Sequence, residues 1–183
     1  MTMPIRPVAA GTRDTDLKHR VSNGVPDGIP EKISDALPGV LPMDEMLCFL
    51  VYSSGLALNR AYRKPLAALG LTYPQYIVMI ALWTEDGLTV GQISDRLRLD
   101  SGTLTPLLKR LEALGLVTRR RTAADERRVA ITLTVKGSAL RTHAAEVTRC
   151  MLGHIAMPAD DIDVLMQHLR RLRANLDKAA ATV

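Results

Sequence analysis

The feature that most constrains this chain is residues 88 to 134, where two short helices and an arginine-bearing hairpin follow one another with almost no linker. Val90 to Leu97 reads as a helix turning Ile93 and Leu97 inward. Arg98-Leu99-Asp100 joins it to a second helix. Asp100-Ser101-Gly102-Thr103 supplies capping residues for that helix, expected from Thr103 to Leu114, and Gly115 stops it. Pro106 is tolerable because it falls in the first turn, and Pro106, Leu107, Leu108 and Leu111 are expected to form the packing face. Two β-rich runs come next, Leu116 to Arg121 and Val129 to Thr134. The polar segment Thr122 to Arg128 separates them, which describes a hairpin with a charged tip.

Charge concentrates in the same place. The chain has 183 residues with 24 Lys and Arg against 19 Asp and Glu, a formal charge of +5. Residues 88 to 134 hold nine basic and five acidic residues, so +4 of that excess lies in about a quarter of the chain. A helix, a short turn, a capped helix and a basic hairpin in this order describe a winged helix-turn-helix. Its second helix would enter the major groove of DNA with its N-terminal side chains at base edges. Those side chains are Ser101, Thr103 and Thr105, with Lys109 and Arg110 one turn later suited to phosphates. The hairpin carries Arg119, Arg120, Arg121, Arg127 and Arg128. Arg127 at the tip suits a narrow, electronegative minor groove, and Asp125 can hold it through turn amides. A merely solvated hairpin would explain the charges but not the order of elements.

Residues 1–42 hold six of the ten prolines and no hydrophobic period, so they read as an extension outside the folded part. Pro42-Met43-Asp44 opens a helical segment (43–70) in which Leu47, Leu50, Val51, Leu58, Ala61 and Tyr62 recur at three- and four-residue spacing. Pro65 is expected to kink or end it, and Gly70 marks a break. In the DNA-binding domain (71–134), Thr72-Tyr73-Pro74 opens a helix to about Thr84. Glu85-Asp86-Gly87 is a turn and Leu88-Thr89 a short strand. The last segment (135–183) reads as two helices, Val135 to about Gly153 and Asp160 to about Ala180, divided by Met157-Pro158. The expected fold is mainly α with a small β-hairpin wing. No run of 18 apolar residues suggests a membrane span, and the charged, proline-bearing N-terminus lacks the apolar stretch of a signal peptide, so a cytoplasmic protein is expected. His19, His143, His154 and His168 lie far apart without ligand spacing, so neither a metal nor a cofactor is expected.

Two cysteines, Cys48 and Cys150, remain. All six aromatic residues lie between Phe49 and Trp83; Phe49 and Trp83 read as core. Cys48, Tyr52 and Tyr62 fall on roughly one helical face. Cys48 also sits near a helix start, where the dipole favours the thiolate that attacks a peroxide. The residues alone leave two readings open, a reactive thiol or a buried hydrophobe. Cys150, between Arg149 and Met151, has the same two readings.

The run Asp125-Glu126-Arg127 through Leu133-Thr134 to Gly137 resembles the wing signature of MarR-family regulators: Asp-x-Arg, five residues, Leu-Thr, two residues, Gly. The segments LGLTYPQYIVMIALWTEDGLTV and LDSGTLTPLLKRLEALGLVTR are similar to the organic hydroperoxide resistance regulators of that family, and the likeness spans about residues 44 to 154. It implies a homodimer held by N- and C-terminal dimerisation helices, reading pseudo-palindromic double-stranded operator DNA as a repressor rather than acting as an enzyme. It further implies that Cys48 senses organic hydroperoxide, with Tyr62 and Tyr73 reaching the cysteine across the dimer. Cys150 takes the place of a resolving cysteine that some members carry. The alternative is a MarR-type repressor that answers to a small aromatic ligand instead of to redox.

Overall fold

A computed structural model describes residues 42–122 and 125–182, the side chains of 121–128 excepted. The chain divides into two units, Met1–Ser53 and Ser54–Val183. After a 3-10 turn at Met43–Glu45 the elements are α1 Leu47–Ala67, α2 Tyr73–Thr84, β1 Leu88–Thr89, α3 Val90–Leu97 and α4 Ser101–Ala113. The strands β2 Val117–Thr122 and β3 Asp125–Leu133 follow, then α5 Val135–Ala139, α6 Arg141–Ile155 and α7 Ala159–Ala181. No helix among the described residues is long and apolar enough to cross a membrane.

Local chemistry fixes most of these boundaries. Helices α2 and α3 each begin with a Thr-x-x-Gln box: Gln75 Oε1 accepts from the Thr72 N–H at 2.8 Å, and Gln92 Oε1 from the Thr89 N–H at 2.8 Å. Three helix ends share one closing pattern, in which a left-handed residue is followed by a leucine whose N–H reaches back five residues. Gly70 (φ 64°) precedes Leu71→Leu66 at 3.3 Å, Gly115 (φ 70°) precedes Leu116→Leu111 at 3.0 Å, and Arg98 (φ 53°) precedes Leu99→Ser94 at 3.1 Å. At the third end an arginine occupies the position that glycine fills without cost, so the helix-turn-helix corner stores about 1 kcal/mol of backbone strain.

The hairpin is antiparallel, with Val117 opposite Leu133 and Arg119 opposite Ile131. Strand β1 pairs with the outer side of β3, Leu88 opposite Ile131, giving a three-stranded sheet in the order β1-β3-β2. Under it lies the core: Leu66, Met79, Leu82, Leu88, Ile93, Leu104, Leu108, Leu111 and Ile131 are at most 1% exposed.

Several expectations change. Helix α1 runs through Pro65 to Ala67, because the proline falls in the last turn and removes one hydrogen bond where the helix is about to close. The strands extend further toward the tip than expected, to Thr122 and from Asp125. The single helix expected from Val135 is two, broken at Leu140, and the second continues to Ile155. On α4 the packing residues are Leu104, Leu108 and Leu111, while Pro106 is exposed and Leu107 half-buried. Leu104 precedes Leu108 and Leu111 by four and seven positions, the helical period. Trp83 is core as expected, but Phe49 is only half-buried.

Candidate nucleic-acid interface and sensing residues

Helix α4 is built to present one face. Asp100 caps it, its Oδ1 accepting the Thr103 N–H at 2.8 Å and its Oδ2 the Thr103 hydroxyl at 2.7 Å. Those bonds, the hydroxyl's first, hold the Asp100 carboxyl below its usual pKa of 3.8. With Leu104, Leu108 and Leu111 turned into the core, Ser101, Thr103, Lys109 and Arg110 are exposed and Thr105 is half-exposed. The five residues expected to face DNA therefore lie at the surface of one helix, Thr105 only in part. Thr103 differs from the others because its hydroxyl already serves the cap.

The wing is anchored to the head at its base. Asp86 Oδ1 accepts from both the Gly87 and Leu133 N–H groups at 2.8 Å, tying the α2–β1 turn to the end of β3. Thr134 caps α5, accepting from the Gly137 N–H at 3.0 Å, and donates to the Gly115 carbonyl at 2.7 Å. Lys136 Nζ donates to the Leu114 carbonyl at 2.9 Å, and Trp83 Nε1 to the Gly137 carbonyl at 2.9 Å. A Cβ on Gly137 would meet the Leu116 carbonyl oxygen at 2.0 Å. The Leu-Thr-x-x-Gly half of the wing signature is thus the joint between wing, recognition helix and α5. Its glycine is required by close approach of two backbones.

The arginines of the hairpin do not act alike. Arg120 is exposed, whereas Arg119 turns onto α4, with Nε 3.0 Å from Glu112 Oε2. Arg119 therefore braces the wing base against α4. The side chains of Asp125, Arg127, Arg121 and Arg128 lie outside the described residues. At the other end of the head, Arg98 of the corner pairs with Asp177 of α7, Nη1 to Oδ2 2.5 Å. Sequence reasoning missed that bond, since 79 residues separate the partners.

Within Met1–Ser53, Cys48 is an exposed free thiol at the second position of α1. The first-turn placement puts it closer to the helix N-terminus than the sequence indicated. Tyr52 is 63% exposed.

Within Ser54–Val183, Tyr62 and Tyr73 stack with ring centroids 4.4 Å apart, and Tyr76 extends the row to Trp83 at 6.1 and 5.9 Å. Burial raises the pKa of Tyr62, Tyr73 and Tyr76 above 10.0. The phenols are therefore neutral hydrogen-bond donors at physiological pH. The Tyr76 hydroxyl bonds the Ala144 carbonyl at 3.4 Å.

Cys150 is an exposed free thiol on α6, and His154 Nε2 stands 3.9 Å from its Sγ. The histidines are indeed far from one another in sequence, but the i, i+4 spacing of Cys150 and His154 was legible and passed over. No cluster of three or more metal-binding side chains occurs among the described residues.

Three comparisons bear on what this arrangement is. Residues 60–143 match the family model of transcriptional regulator SarA/Rot. Over 140 residues the chain is 47% identical to the HTH-type transcriptional regulator TtmR of Methylorubrum extorquens, covering 76% of this chain and 72% of that one. It is 40% identical over 136 residues to the organic hydroperoxide resistance transcriptional regulator of Bacillus subtilis, covering 74% and 92%. Among solved structures it resembles reduced AbfR bound to DNA, at 35% identity and TM-score 0.60 over 71% of this chain and 91% of that one. It also resembles AbfR with a disulfide formed, at 30% identity and TM-score 0.52 over 87% and 98%; AbfR is a protein of Staphylococcus epidermidis. The chain belongs to the MarR-type winged-helix transcriptional regulators, a family of DNA-binding proteins and not of enzymes, with an organic hydroperoxide resistance regulator among its near relatives.

Proposed function

We propose that this regulator is a homodimeric repressor that senses organic hydroperoxide through Cys48 and then releases a pseudo-palindromic operator. The observation that carries the reading is the Tyr62–Tyr73 pair, two neutral phenols packed at 4.4 Å. With Cys48 in the first turn of α1, it supplies the donors and helix dipole that a reactive thiolate needs. Similarity to the Bacillus subtilis hydroperoxide regulator supports the assignment, and so do the reduced, DNA-bound and disulfide forms of AbfR. In the dimer the two tyrosines of one protomer approach Cys48 of the other. Peroxide converts the thiolate to a sulfenic acid, and Cys150 of the partner subunit resolves it as a disulfide. On DNA, Ser101, Thr103 and Thr105 lie at base edges and Lys109 and Arg110 on phosphates. Arg127, held by Asp125, enters the minor groove. Both half-sites must be engaged together, so a few ångströms of change in recognition-helix spacing release the operator.

The test is operator binding and non-reducing electrophoresis on one sample, before and after stoichiometric cumene hydroperoxide, with Cys48→Ser and Cys150→Ser alongside. Oxidation should abolish binding with a dithiothreitol-reversible crosslinked dimer, and Cys48→Ser should stay bound. Lost binding without the crosslink removes Cys150 from the mechanism. Binding that peroxide leaves unchanged overturns redox sensing and turns the search to a small aromatic ligand.

A further inference from the structure

Helix α6 sets Cys150 and His154 one turn apart, with Sγ 3.9 Å from Nε2, within reach of a sulfur–nitrogen hydrogen bond. Both line an open cavity of about 490 Å3, so the sulfur can be approached from outside the chain. The other ionisable groups on that cavity are His143 and Glu146 from α6 and Lys64 from the end of α1. His143 points its Nδ1 at the Thr142 hydroxyl, 3.2 Å away, which leaves His154 as the imidazole at the thiol.

We propose that His154 is the proton-transfer residue for Cys150 during disulfide closure, an inference that rests on the resolving role argued above. A thiol attacks as its thiolate, and imidazole is the side chain that accepts and returns a proton near neutral pH. His154 Nε2 takes the proton from Cys150 Sγ. The thiolate then attacks the sulfur of Cys48 sulfenic acid in the partner subunit, a sulfur–sulfur bond forms and the sulfur–oxygen bond breaks. The departing hydroxide collects the proton from the imidazolium and leaves as water. Cys48 sulfur is reduced by this step and Cys150 sulfur oxidised, the oxidising equivalents having come from the organic hydroperoxide. Nothing else is consumed. Glu146 and Lys64 line the same cavity with opposite charges.

The experiment follows the full-length protein after one equivalent of cumene hydroperoxide, quenched at intervals from about pH 5.5 to 8.5, a window that brackets imidazole titration. Sulfenic acid is read by a dimedone-type trap and the disulfide by non-reducing electrophoresis. His154→Gln and His154→Asn should form the sulfenic acid at the parent rate but close the disulfide at least about tenfold more slowly at neutral pH. They should also lose the imidazole inflection in the closure profile, and added imidazole should restore the rate. Slower closure with an unchanged profile and no rescue would mean a packing role and overturns the proposal. So does closure at the parent rate in both variants. If the parent itself forms no Cys48–Cys150 disulfide, the resolving role fails first and takes this inference with it.

Discussion

Helices α4 and α7 both carry leucines at helical spacing, but they dispose of them in opposite ways. Helix α4 buries Leu104, Leu108 and Leu111 to within 1% of full burial, against α2, α3 and the sheet of the same chain. Helix α7 is 23 residues long and buries none of its side chains; Val164, Leu165, Met166, Leu169 and Leu176 are 38–61% exposed. The first helix belongs to a head that is complete within one polypeptide. The second has an apolar face whose burial requires something else, and in a dimer that is the partner's matching face. In the proposed dimer, reading and assembly are thus assigned to different parts of the chain, and substitutions in the two places should fail differently.

The largest effect is expected where the head cannot give at all. Gly137→Val drives a side chain into the Leu116 carbonyl and should cost at least about 3 kcal/mol, seen as loss of the cooperative unfolding transition or a large fall in Tm. Leu108→Ala and Leu169→Lys then set the two helices side by side. Leu108→Ala opens a core cavity and should cost about 3 kcal/mol at any protein concentration. Leu169→Lys should leave the near-ultraviolet signature of Trp83 intact yet weaken self-association by sedimentation and, with it, operator binding. If Leu169→Lys melts the head as well, the separation drawn here is wrong. Arg110→Ala should leave stability and assembly alone, weaken binding to all DNA sequences alike, and lower the salt slope by about one counterion per protomer.

Smallest is Asp100→Ala. The Asp100 pKa is depressed in the folded chain by the Thr103 bonds. Its stabilising contribution is therefore present above the unfolded value of 3.8 and disappears as pH falls through the lower folded value. A modest drop in Tm at neutral pH should accordingly vanish in acid.

The same contrast explains what the sequence made legible. Boundaries set by neighbouring residues could be read directly: Thr72 and Gln75 with Pro74 for α2, Thr89 for α3, Gly115 for the end of α4. The exposed side of α4 was readable for the same reason. Its outer residues follow from the helical period once the core leucines are known, though Leu104 had to displace Pro106 in that set. Interactions across long stretches of chain were not readable. Nothing near Arg119 marks it as Glu112's partner across a turn, nothing near Arg98 announces Asp177, and the break at Leu140 carries neither glycine nor proline. The sensing residues fall between these cases. Cys48, Tyr62 and Tyr73 gained meaning only from family resemblance, because the contact proposed for them is between protomers and no local spacing marks it. Cys150 and His154 lay within the reach of simple spacing.

The joint at Gly137 also has a mechanical consequence. Thr134, Lys136, Trp83 and the Gly137–Leu116 approach weld α5 to the wing and to the end of the recognition helix. One residue after α5, at Leu140, the helical path is interrupted before α6 begins. Leu140 itself keeps a near-helical backbone (φ -64°, ψ -18°) and packs on the head, and α6 stays on that head through Val147 and the Tyr76–Ala144 bond. A twist applied to α6 therefore meets the head along Leu140, Ala144 and Val147, and not at a single residue.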